Sequence, residues 1–177
     1  MLDTMTAIAA ATPWTQTLQR GDVVLFNFPC ADDGPVKARP CLVLEVGRVG
    51  DHAFAEIAYG TTATGKANKG WEIHINQRAG MAMAGLDQPT RFVGFRRVTV
   101  TLDSTLFRIP RGRKSPIIGR LDDAGLERMN AVCARIWANR GMAAERRNER
   151  RGVTDQGVPV IWRGGASKLS ATSKGAA

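Results

Sequence analysis

Two apolar runs near the start of the chain set the first expectation. Val23-Val24-Leu25-Phe26-Asn27-Phe28 is rich in β-branched and aromatic residues, and Cys41-Leu42-Val43-Leu44-Glu45-Val46 is almost unbroken. Runs of this length and kind predict buried strands. Between them, Asp32-Asp33-Gly34-Pro35 has turn chemistry. Pro40 stands at the beginning of the second run, where a strand tolerates proline. His52, Phe54, Glu56 and Ala58 then interleave with Ala53, Ala55, Ile57 and Tyr59, an alternation that predicts a third strand. Gly60 to Gly70 is a loop of Gly, Thr, Lys and Asn, and Trp71 to Ile75 alternates again as a half-buried strand would. Ala79 to Pro89 suits a connection, and Arg91–Phe95 and Val98–Leu102 predict two further strand segments.

Near Asp122 the period changes. Leu126, Met129, Val132, Cys133, Ile136 and Trp137 fall at helical spacing and predict one amphipathic helix. Asp122 and Asp123 stand where the cap and the helix dipole favour acids. Arg135 and Arg140 lie toward the other end, and Gly141 is placed to stop the helix. Residues 1–19 show no sustained period and read as an irregular arm; residues 20–141 form the expected domain; residues 142–177 read as a basic, flexible tail. Five or six short strands closed by one helix predict a mainly β, α+β fold, a small and strongly bent barrel.

The net charge of +9 favours an anionic partner. From Arg140 onward there are eight basic and three acidic residues, so +5 of that charge sits in the tail and the domain is only mildly basic. Cys30, Cys41 and Cys133 lie far apart with no C-x-x-C pair, which argues against a disulfide framework or a zinc site and predicts buried thiols. No stretch reaches the roughly 18 apolar residues of a membrane span, and the N-terminus lacks a basic leader. A cytoplasmic protein with no membrane partner is expected.

Gly21-Asp22-Val23-Val24-Leu25-Phe26, a turn-rich loop, and Lys37-Ala38-Arg39-Pro40-Cys41-Leu42-Val43-Leu44 together resemble the opening of the MazF/PemK toxins. Ala58-Tyr59-Gly60-Thr61-Thr62 is similar to the family's third strand, which closes on a threonine or serine. Ala84-Gly85-Leu86-Asp87-Gln88-Pro89-Thr90-Arg91-Phe92 is similar to its Gly-Leu segment before the fifth strand, and Gly119-Arg120-Leu121 to the turn before its last helix. The resemblance covers roughly residues 20–140. It implies an SH3-like barrel of the MazF/PemK/CcdB kind that dimerises, cuts single-stranded RNA (often mRNA) without a cofactor or metal, and is neutralised by a cognate antitoxin. Arg39 matches the family's catalytic arginine and Thr61 its catalytic threonine or serine; Thr62 is the neighbouring register. Arg96 and Arg97 stand near the point where the family carries a fifth-strand arginine.

The chemistry suits those residue types. RNA supplies its own nucleophile, the 2′-hydroxyl, so the protein need only align it, move its proton and stabilise charge on phosphate oxygens. A guanidinium matches those oxygens in fork geometry and holds growing charge, which fits Arg39 to that role and not to proton abstraction. The Thr61 hydroxyl can position the reacting group. His74 is the rival base, because imidazole titrates near neutrality. Lys37, Lys66, Lys69 and Arg91 are candidates for holding RNA phosphates or bases. Two other functions share the scaffold: a non-enzymatic nucleic-acid- or gyrase-binding module, since fold does not fix function, and a degenerate toxin that binds nucleic acid through its tail.

Overall fold

The computed structural model describes residues 12–29, 37–65 and 68–151, with backbone alone from residue 144 on. The elements in chain order are α1 (Trp14–Thr17), β1 (Asp22–Asn27), β2 (Ala38–Val49), β3 (His52–Thr61), β4 (Glu72–Ile75), α2 (Arg78–Met83), β5 (Thr90–Thr101), β6 (Ile117–Arg120) and α3 (Asp123–Arg151). The strands form one six-stranded sheet in the order β4-β5-β3-β2-β1-β6, with every neighbouring pair antiparallel. α2 follows edge strand β4 yet packs against β6 at the opposite edge. The sheet therefore curls into a half-barrel, and the expected mainly β architecture with a C-terminal helix is the one observed.

Both faces of the sheet are buried, which is why β1 and β2 read as continuous apolar runs. Val23, Leu42, Leu44, Ala58, Ile73 and Phe92 pack under Met129, Val132, Cys133 and Ile136 of α3. Val24, Phe26, Cys41, Val43, Ile57, Tyr59 and Val93 form the other core, covered by Leu18, Trp14 and Phe107. The Gly-Asp pair that opens β1 is structural. Gly21 has φ +88°, and a Cβ there would strike Leu126 of α3. The buried Asp22 carboxylate accepts from Arg120 Nη2 at 2.7 Å and from the Gln19 amide at 2.9 Å. α3 starts as expected, with Asp122 Oδ1 accepting the Gly125 amide at 2.7 Å, an N-cap bond.

Several details differ from the sequence expectations. The two segments around residues 91–102 are a single strand, broken only by a bulge. Tyr59 pairs with Val93 and Ala58 with Arg97, so Gly94, Phe95 and Arg96 have no register partner on β3. β6 forms where only a turn is expected, and α2 lies in the stretch that suits a connection. The N-terminal segment contains α1, whose Trp14 meets Phe107 at a ring-centroid distance of 5.0 Å. Gly141 does not stop α3, which runs on to Arg151. Trp137 belongs to the apolar stripe by spacing but is 60% exposed, because the helix rolls its centre of contact onto Val132 and Ile136. Cys41 and Cys133 are buried; Cys30, Lys66 and the tail from residue 152 lie outside the described residues. No helix among the described residues is long and apolar enough to cross a membrane.

Candidate functional site

Strand register brings one residue from each of four strands to a common line. Phe26 pairs with Arg39 across β1 and β2, Thr61 with Arg91 across β3 and β5, and His74 with Arg91 across β4 and β5. Between β2 and β3 the pair Cys41–Tyr59, continued two residues along each strand, sets Arg39 opposite Thr61. Residues that face each other across antiparallel strands project to the same side. Arg39, Thr61, Arg91 and His74 thus lie in a transverse row on the face turned away from α3. With strands about 4.8 Å apart, the row spans roughly 14 Å. Gly60 makes the approach of β2 to β3 possible, since a Cβ there would strike the Pro40 carbonyl oxygen.

A cavity of about 200 Å³ opens at this row, with Thr61, Thr62, Thr64, His74, Asn76 and Arg91 in its wall. Thr61 ends β3, and its Oγ1 accepts the Ala63 amide at 3.2 Å, leaving the hydroxyl proton to donate. Thr62 also faces the cavity, from the loop, so both registers of the sequence match reach the site. Arg39 stands beside the cavity rather than in its wall. Its guanidinium lies 5.5 Å from the centre of the Tyr59 ring, and Arg96 covers the same ring at 4.3 Å. Of the two arginines considered near the fifth strand, the β5 bulge turns Arg96 toward this face, while Arg97 lies under α3.

Glu72 organises the β4 side. Its carboxylate is 3% exposed; Oε1 accepts from Arg91 Nη1 at 2.6 Å, and Oε2 lies 3.2 Å from His74 Nε2. Arg91 Nη1 also donates to the Gly65 carbonyl at 3.1 Å, tying down the loop that follows β3. A carboxylate so deeply buried needs polar partners, and here they are two members of the row, the Arg91 guanidinium and the His74 imidazole. His74 itself stays 55% exposed, anchored through its backbone carbonyl, which accepts from Arg128 of α3 at 2.7 Å.

The remaining candidates are dispersed. Lys37 is exposed just before β2. Lys69 is exposed in a turn that is fastened to α3, not to the cavity, by the Arg135–Gly70 hydrogen bond of 2.6 Å. Sequence reasoning missed Glu72, Asn76 and Tyr59. For Glu72 the signal was its spacing of two from His74 on a strand, which puts both side chains on one face. Among the described residues, no group of three or more His, Cys, Asp and Glu side chains could hold a metal ion.

The arrangement offers guanidiniums, a hydroxyl and an imidazole along one accessible line, a set suited to gripping a phosphodiester. No protein-family model matches the chain, and no curated protein matches it. Among solved structures, MazF (Form-I) from Deinococcus radiodurans is similar at 13% sequence identity and a TM-score of 0.44, over 68% of this chain and 96% of that one.

Proposed function

We propose that this chain is a metal-independent endoribonuclease of the MazF/PemK kind, the toxin of a type II toxin–antitoxin pair, cutting single-stranded RNA. The observation that carries the proposal is the row Arg39–Thr61–Arg91–His74 beside one cavity. It unites the two residues that the sequence resemblance marks as catalytic with a titratable group and a second guanidinium. In this scheme the His74 imidazole accepts the 2′-hydroxyl proton as the 2′-oxygen attacks phosphorus. The P–O5′ bond breaks, and the departing 5′-oxygen takes a proton from solvent. The products are a 2′,3′-cyclic phosphate and a 5′-hydroxyl. Arg39 stabilises the charge gathering on the non-bridging oxygens, Thr61 orients the phosphodiester, and Glu72 fixes His74 and Arg91. Lys37 and Arg91 extend the cationic path for the strand, and Lys66 and Lys69, between β3 and β4 in the sequence, serve as further RNA contacts, Lys69 from the turn fastened to α3. A homodimer and a cognate antitoxin, expected from the resemblance, complete the proposal.

The test is cleavage of a long single-stranded RNA in EDTA by wild type, Arg39→Ala and Thr61→Ala. Fragments with 5′-hydroxyl ends from wild type, and a loss of at least ~100-fold in each variant, are expected; that loss is roughly 2.7 kcal/mol of transition-state stabilisation. Inactive but well-folded wild type would favour the binding-module function instead. Cleavage that survives both substitutions would keep the activity and the His74 base, and would take the roles of Arg39 and Thr61 away from them, with Thr62 next in line to position the phosphodiester.

A further inference from the structure

The opposite face of the sheet holds a second polar cluster. Arg97 on β5 stands opposite Ala58, which packs beneath α3. The Arg97 side chain is 4% exposed, and its Nη1 donates to Glu56 Oε2 at 3.2 Å. Its Nε and Nη2 are buried and have no hydrogen-bond partner among the described residues. These two nitrogens share one edge of the guanidinium plane. That edge is the side-on fork, whose parallel N–H bonds meet two oxygens of a single anion. Buried donors in native proteins are almost always matched, so an unmatched fork on a charged group points to an acceptor from outside the described residues.

Two more arginines, both exposed, lie within electrostatic reach of the cluster. Arg20 hydrogen-bonds the Cys133 thiol on α3, and its charge and that of Arg97 both act on that thiol. Arg140, farther along α3, has its pKa lowered first by burial and then by the Arg97 charge, with Glu56 acting in the other direction. The acids of the cluster are Glu56, 26% exposed, and Glu45, its exposed register partner on β2. Positive charge exceeds negative here, and among the described residues only Glu56 forms an ion pair with a guanidinium of the cluster.

We propose that Arg97, Arg140 and Arg20 form a phosphate-binding site beneath α3, in which the Nε–Nη2 fork of Arg97 takes two oxygens of one phosphate group. A phosphate fits better than a carboxylate. The fork uses both oxygens of a carboxylate, whereas a tetrahedral phosphate keeps oxygens for Arg140 and Arg20 approaching from other directions. Arg140 is exposed, so its side chain is free to move as an anion reaches the fork, which is itself buried. The site lies across the sheet from Arg39 and Thr61 and stands independently of the ribonuclease proposal.

The experiment is thermal unfolding of the full chain in phosphate-free buffer, titrated with inorganic phosphate against chloride at matched ionic strength. Wild type, Arg140→Gln and Arg97→Lys are compared. Wild type should show a saturable rise in Tm. Half-saturation should weaken at least ~10-fold in Arg140→Gln, and the rise should vanish in Arg97→Lys, which keeps the charge and loses the fork. Adenosine 5′-monophosphate identifies the source: tighter binding than phosphate means the group arrives on a nucleotide, and equal binding means that free phosphate suffices. A wild-type Tm that merely follows chloride, or an equal phosphate response in the variants, overturns the proposal. Should Arg97→Lys fail to fold, the exposed Arg140→Gln still decides.

Discussion

Glu72–Arg91 and Glu56–Arg97 are both carboxylate–guanidinium pairs with the arginine on β5, and they are built in opposite senses. In the first, the carboxylate is the buried member, 3% exposed, and both its oxygens are engaged, by Arg91 and by His74. In the second, the guanidinium is the buried member, 4% exposed, and its carboxylate is the more accessible partner at 26%. The first pair presents two cationic or titratable groups to a cavity from a satisfied anchor. The second holds cationic donors beneath a helix with too few acceptors. The bulge at Gly94–Arg96 separates them, sending Arg91 and Arg97 to opposite faces of one strand. Arg91 keeps one buried donor, Nε, without a partner among the described residues, while Arg97 keeps two that share an edge. A single spare donor meets one atom, and a spare fork fits an anion with two oxygens, so the first pair is the more closed and the second the more open.

The largest expected effect breaks the closed pair. Glu72→Ala removes the shared anchor of Arg91 and His74 and leaves Arg91, only 15% exposed, without its counter-charge. Breaking a buried pair in this way should cost about 3 kcal/mol, read from urea unfolding at neutral pH. A loss below about 1 kcal/mol would mean that Glu72 is not the anchor its hydrogen bonds suggest. The open pair should respond differently. Arg97→Met replaces a buried charge that has unmatched donors by a side chain of similar length, and Glu56 can turn to water. In phosphate-free buffer the change should lie between neutral and about 1 kcal/mol stabilising. A loss above about 2 kcal/mol would show that the fork is already satisfied within the chain.

The contrast also explains what could be seen in the sequence. β1 and β2 are legible because both their faces are buried, and Arg39 and Thr61 become candidates only through the resemblance of the residues around them. Glu72 was hidden because a glutamate in an alternating strand reads as a solvent-facing position; only three-dimensional register reveals that it lies under Arg91. The β5 bulge was hidden because its extra residues leave no mark beyond Gly94, and β6 because Ile-Ile-Gly-Arg carries too short a pattern. Gly141 misled for an energetic reason. A glycine inside a helix costs about 1 kcal/mol, and its neighbours Ala138, Arg140, Met142 and Ala143 are strong helix formers, so the helix passes through it. A Cβ at Gly141 would meet nothing within 4 Å, so packing places no other demand on the residue.

The smallest expected effect sharpens the comparison from the side of the open pair. Burial pushes the Cys133 thiol up, Arg20 and Arg97 pull it back, and Glu56 adds to the rise. The folded chain therefore holds this proton more tightly than the unfolded chain. That contribution is fully present below the ordinary thiol pKa of about 8.5 and is lost as pH climbs through that value toward the raised one. Stability measured by urea unfolding should fall above about pH 8.5, with the Cys133 share of the slope below about 1.4 kcal/mol per pH unit. Cys133→Ala should flatten that slope whatever it does to stability at neutral pH. A phosphate seated on Arg97 would place negative charge beside the same thiol and offset the arginines, widening the alkaline window in wild type and leaving Cys133→Ala unmoved. A slope identical in the two proteins, with and without phosphate, would mean that the thiol does not sense the Arg97 cluster, and would sever the open pair from the helix above it.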